Sequence, residues 1–181
     1  LEIASDLGSW STVQGTSGVI GDNFLSYTGG ADLNNFKVAY MVYGGGQFST
    51  HFLSGETDEV PVYNAGSYAA FSGSANSTLL SYNAAATGST VTSSTSLAAN
   101  TYNANLGGVY AGQFAGFYLS GNGEASMADA IANGYVDQKI YQFDVNMVSF
   151  RAPFDGIEVA TIRTYADGTT EINPVPVPAS V

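Results

Sequence analysis

Cysteine is absent from this 181-residue chain, which excludes disulfides, thiolate metal sites and cysteine nucleophiles. Histidine occurs once, at His51, which leaves no multi-histidine zinc site and little room for a hydrolase triad. Basic residues are scarce: Lys and Arg number 4 against 15 Asp and Glu, for a net charge of −11. Phosphate recognition needs clustered Lys and Arg, so nucleic acid is not expected as a partner. The same deficit disfavours electrostatic attachment to an anionic membrane surface. No apolar run approaches the roughly 18 residues of a membrane helix. Charged residues make up only 10%, whereas 45% are hydrophobic. The chain can therefore build a sizeable core, but its surface must come from Gly, Ser, Thr, Asn and Tyr.

What is present is β punctuation. The 22 glycines and many Ser, Thr and Asn residues separate short runs of Val, Ile, Phe and Tyr. Residues 36–43 alternate, and Gly44-Gly45-Gly46 turns them toward residues 47–53, so 36–53 reads as a hairpin. Gln138 to Arg151 is the clearest strand, with Tyr141, Phe143, Val145 and Met147 on one face. Its phase switches at Val148 and Phe150, the mark of a bulge or of a strand that changes sheets. Ile157–Tyr165 and Thr169–Ile172 flank Asp167-Gly168, a strong hairpin signal. Val109–Leu119 reads as a long buried strand, with Tyr110, Phe114 and Tyr118 set between glycines. Residues 84–101 are nearly all small and read either as a strand around 89–92 or as a surface loop. One short helix is expected, Met127–Asn133, capped by Ser126 and closed by Gly134. The fold class is therefore all-β: an antiparallel β-sandwich, jelly-roll or Ig-like, with one short helix. Residues 1–21 form an N-terminal arm or first strand, 22–172 the sandwich domain and 173–181 a Pro-rich extended tail.

The chemistry is thin. His51 reads as a half-exposed strand histidine. No Gly-x-Ser-x-Gly elbow sits between a strand and a helix. Most carboxylates adjoin turn residues, as in Asp155-Gly156 and Asp167-Gly168, where they favour turns and solubility. A glycosidase pair would show as two carboxyls converging in a cleft. Calcium takes about six to eight oxygens from loops. Two groups offer such oxygens: Asn122, Glu124 and Asp129, and Glu56, Asp58 and Glu59. Neither has a recognised calcium-loop spacing. No catalytic, cofactor or metal residue is therefore expected, and the chain reads as a non-enzyme. Lys37 and Lys139 lie in predicted strands and read as solvated, with a Lys–Asn crosslink as the sharper alternative. The 12 Tyr, 10 Phe and 1 Trp belong mainly to the core, unless an exposed coplanar set forms a sugar platform.

Three of the 5 prolines alternate with valine near the C-terminus, at Pro174, Pro176 and Pro178. Such a run can be neither helix nor central strand, and it reads as a stiff polyproline-like spacer or linker. Val175, Pro176, Val177, Pro178, Ala179 and Ser180 resemble the Val-Pro-x-Pro-Ala variant of the sorting element in the PEP-CTERM family of exported bacterial proteins. The Pro-Glu-Pro core of that family is not present here. In the family a membrane helix and a basic cluster follow the element and are processed by an exosortase. The resemblance thus implies an extracellular or cell-surface location in a Gram-negative bacterium. It implies membrane contact only through a segment beyond Val181. Leu1 is not an initiator methionine, so the numbering is expected to begin after a removed segment or inside an expressed fragment. With so little catalytic furniture, the expected role is an exported structural protein that self-assembles into a fibre, matrix or surface layer. Its expected partners are copies of itself, joined through terminal arms and sheet edges that carry little lysine. The alternative is a carbohydrate-binding module that meets polysaccharide at the cell surface or in a biofilm matrix.

Overall fold

The centre of the molecule is a long antiparallel pair. Strand β9, Tyr135–Phe143, runs beside β11, Ile157–Tyr165, with a register shift between Glu158 and Ala160. The computed structural model describes residues 2–45, 49–63, 65–86, 91–94, 122–144 and 154–173. The expected strand at 109–119 and the phase switch at Val148 and Phe150 lie outside these residues.

Around that pair the chain builds a six-stranded antiparallel sheet. On one side β12, Thr170–Ile172, pairs with β11, and β2, Gly18–Val19, closes the edge. The β11–β12 hairpin turns at Asp167-Gly168 as its sequence requires. Gly168 takes φ 82°, a left-handed value that residues with a side chain rarely adopt. On the other side β5, His51–Gly55, pairs with β9, and β4, Met41–Val42, is the second edge. Met41 faces Leu53 and Val42 faces Phe52, so the expected 36–53 hairpin is present at these two pairs.

The strand leading into β4 changes partner. Its first part, β3 at Lys37–Val38, pairs with β8, Ala125–Ser126, rather than with β5. This change curls the structure into a half-barrel. Two further two-stranded sheets join β1, Glu2–Ser5, to β7, Val91–Ser94, and β6, Val62–Tyr63, to β10, Phe154–Asp155. The described chain is thus mostly antiparallel strand with few helices.

Both faces of the sheet are covered. On one, Ile140, Ala160, Ile162 and Ile172 cluster with Val13. Val13 belongs to α1, the single turn Trp10–Val13, and Leu7, Trp10, Ile20 and Phe52 pack against the same cluster. On the other face Leu53, Tyr141 and Phe143 are almost fully buried. Each such side chain contributes roughly 1.5–3 kcal/mol relative to exposure. Gly156 admits Phe143 here: a Cβ on Gly156 would lie 2.7 Å from the Phe143 ring tip and 2.8 Å from Tyr141 Cβ.

The helix at Met127–Asn133, here α3, forms as its caps dictate. Ser126 Oγ accepts the Ala128 N–H at 3.2 Å, and Gly134 closes the helix at φ 86°. The structure also holds a helix the one-helix expectation omits, α2, which spans 22 residues from Ala65 to Ala86. Its serines and threonines bond back along the helix: Ser77, Thr78 and Ser81 each donate to the carbonyl four residues earlier. This satisfies hydroxyls that otherwise draw a backbone into turns. Phe71 of α2 is fully buried and stands edge-on to His51, which places α2 over the Leu53–Tyr141 face.

Candidate functional site

Among the described residues, polar side chains line a pocket of about 300 Å³ between β8, α3, β9 and the loop after β5. It gathers five carboxylates, Glu56, Asp58, Glu124, Asp129 and Asp137, against one lysine, Lys37. Members of both candidate calcium groups therefore line one pocket, although they are far apart in sequence. Glu59 is not among the lining residues.

The local fold sets each group. Lys37 and Glu124 sit on the paired strands β3 and β8 or next to them. The Lys37 ammonium lies 3.0 Å from Glu124 Oε2. Asn122 Oδ1 accepts the Glu124 N–H at 3.0 Å and fixes that turn. Asp129 is in the first turn of α3, where a negative charge suits the helix dipole. Asp137 faces the other way and holds Arg163 with two 2.7 Å bonds. Glu56, Asp58 and Asp129 have no cationic partner among the described residues. Burial, with the Glu59 and Asp58 charges, raises the Glu56 pKa. No group of three or more Asp, Glu or His side chains among the described residues is arranged to hold a metal ion.

The pocket floor is a buried amide. Gln138 is 3% exposed, and its Nε2 donates to Gly123 O at 3.1 Å. Ser54 Oγ donates to the same carbonyl at 2.7 Å and accepts the Tyr40 N–H at 2.9 Å. Gln138 Oε1 is buried without a hydrogen-bond partner among the described residues.

On the Tyr141 face of the sheet, the Arg163 guanidinium lies 3.7 Å from the Tyr135 ring centre while it binds Asp137. The Asp137 hydrogen bonds push the Arg163 pKa up, so the group stays charged at every accessible pH. Tyr165 donates to Glu171 at 2.6 Å, which raises its own pKa. This cluster satisfies itself internally and reads as a structural clasp across β9, β11 and β12.

His51 departs from the expected half-exposed residue: it is fully buried. The alternation of its strand is intact, but the face it occupies is covered by α2. Its Nδ1 accepts the Gly44 N–H at 2.9 Å, and its ring stacks on Tyr43. Burial lowers its pKa to about 4, so it is neutral at physiological pH. Lys37 and Lys139 are ion-paired rather than simply solvated, Lys139 to Glu158 at 2.7 Å. No aromatic ring ranks among the exposed large side chains of the described residues. The two tyrosine rings nearest a platform, Tyr135 and Tyr165, are tilted by 63°.

The sheet edges are the other candidate surface. Val19 of β2 is 69% exposed, and neither β2 nor β4 carries a charged residue. The tail residues Val175, Pro176, Val177, Pro178, Ala179 and Ser180 lie outside the described residues. The last described residue, Asn173, is clasped: its N–H donates to Thr161 O at 2.7 Å, and its Nδ2 to Thr16 O at 2.9 Å.

No family model, no curated protein and no solved structure matches the chain.

Proposed function

We propose that the protein is an exported, non-enzymatic structural protein that assembles with copies of itself through its sheet edges, outside a Gram-negative bacterium. The observation that carries this reading is the uncharged edge strand β2 with Val19 69% exposed. Edges guarded against pairing use lysine, proline, inward charge or very short strands; β2 and β4 have only the last of these. Both edge strands are only two residues long, so contact through them is local and relies on apolar side chains beside the backbone. The N-terminal segment packs on its own domain, with Leu7, Trp10 and Val13 at the core, so the proposed contacts are placed at the sheet edges. The Pro-rich sequence after Asn173 favours an extended connector between copies.

The tail resemblance and the hydroxyl-rich, lysine-poor composition support export. The finer fold we propose is a β-sandwich of jelly-roll or Ig-like order. Support comes from the burial on both faces of the six-stranded sheet.

Sedimentation velocity and negative-stain microscopy across a concentration series test the assembly. The wild type should form oligomers or filaments, and Val19→Lys should remain monomeric at the same concentrations. A wild type that stays monomeric throughout sinks the reading. Fractionation of the source bacterium tests export, since recovery only from the cytoplasm contradicts it. Turnover of a polysaccharide by the purified chain would overturn the non-enzymatic part.

A further inference from the structure

We propose that the pocket between β8, α3 and β9 binds an organic ammonium ligand, an extended di- or polyamine rather than a metal ion or a sugar. This goes beyond the assembly reading and does not depend on it.

Three observations lead there. First, the charge is one-sided: Glu56, Asp58 and Asp129 line the pocket without a cationic partner among the described residues. Like charges so placed repel, and a positive ligand relieves that repulsion; burial, followed by the Glu59 and Asp58 charges, already raises the Glu56 pKa. Second, the floor holds an unused acceptor. Gln138 is 3% exposed, yet its Oε1 accepts no hydrogen bond among the described residues. A buried amide oxygen without a donor carries an uncompensated desolvation penalty, which a ligand N–H bonded to it would offset. The orientation of that amide is fixed, because its Nε2 must serve the Gly123 carbonyl. Third, the pocket already accommodates an ammonium: Lys37 Nζ sits 3.0 Å from Glu124 Oε2.

The alternatives fit less well. The carboxylates are not arranged to converge on a single metal ion. Among the described residues no aromatic side chain lines the pocket to give a sugar ring a stacking surface. A cation with several separated N–H donors matches separated carboxylates and a single deep acceptor. The volume of about 300 Å³ accommodates such a chain. The same chemistry is carried by a free polyamine and by a lysine side chain of a peptide.

The experiment is isothermal titration of the full chain at low ionic strength with spermidine, with an acetylated lysine amide, with calcium chloride and with glucose. Spermidine should give saturable one-site binding. Gln138→Met keeps the volume and removes the acceptor, and should weaken that binding about tenfold, or about 1.4 kcal/mol. The double variant Glu56→Gln with Asp58→Asn should weaken it at least as much, while Glu158→Gln, away from the pocket, should leave it unchanged. If Gln138→Met does not fold, as judged by its thermal melt, the surface double variant decides alone. Stronger binding of the lysine amide than of spermidine assigns the site to a lysine side chain and supports the ammonium chemistry. Unsaturable heat, or an equal loss in Glu158→Gln, shows diffuse counterion attraction to an acidic chain and overturns the proposal. Pocket-dependent binding of calcium or glucose in place of the amines overturns it as well.

Discussion

His51 shows how one residue couples burial to pH. Its ring lies between Tyr43 and Phe71, and burial lowers its pKa from 6.5 to about 4. The unfolded chain binds a proton at His51 more readily than the folded chain does. Its contribution is therefore full above pH 6.5, falls as pH drops toward about 4, and then levels off. At about 1.4 kcal/mol per pH unit the loss is on the order of 3 kcal/mol. Urea melts above and below that window should show it, and His51→Phe should flatten the slope relative to the wild type. An unchanged slope in that variant assigns the acid sensitivity to the carboxylates. Arg163 makes a second residue-scale case. Its planar fork meets both Asp137 oxygens at 2.7 Å while its face lies on Tyr135. Lysine reproduces neither geometry. Arg163→Lys should cost about 1–2 kcal/mol, read as a lower melting temperature, although the charge is kept.

At the scale of elements, short signals with a local mechanism were reliable. Ser126 and Gly134 bracket α3 as their side-chain chemistry requires, and Asp167-Gly168 makes the β11–β12 turn. Ser126→Ala should cost about 1 kcal/mol in a denaturant melt, the usual value of an N-cap. A loss below a few tenths of that would mean α3 is held by packing alone. Helix α2 shows the opposite situation. Ala65–Ala86 is rich in Ser, Asn, Gly and Thr, residues of modest helix propensity, and it has no marked apolar stripe. A tertiary fact stabilises it: Phe71, Ala75 and Thr78 are buried. That burial is not visible in a one-dimensional pattern.

Across the whole molecule, charge sets how copies of the chain meet. A net charge of −11 with 4 basic residues gives mutual repulsion at low ionic strength. The Debye length shrinks to about 10 Å at 0.1 M salt, so added salt removes that barrier while apolar edge contacts persist. Assembly should therefore increase with sodium chloride, as followed by light scattering. A decrease with salt would mean that ion pairs, not β2 and its Val19, hold the copies together. The candidate pocket is also a property of the whole molecule. Lys37, Glu56, Glu124 and Gln138 come from four separate parts of the chain and meet only because β3 leaves the main sheet to pair with β8.

The sequence by itself determined the strand-rich antiparallel architecture, the two hairpins and the capped helix α3. Each rests on alternation, turn chemistry or a cap, which act over a few neighbouring residues. It also determined the acidity and the lack of cysteine that bound the partners. Only the tertiary structure decided that His51 is buried, that residues 65–86 are helical and that the N-terminal segment covers its own core. The same holds for the pocket, where two distant carboxylate groups converge around Gln138. These outcomes depend on which face another element covers and on contacts between residues far apart in the chain. Local periodicity carries no information about either.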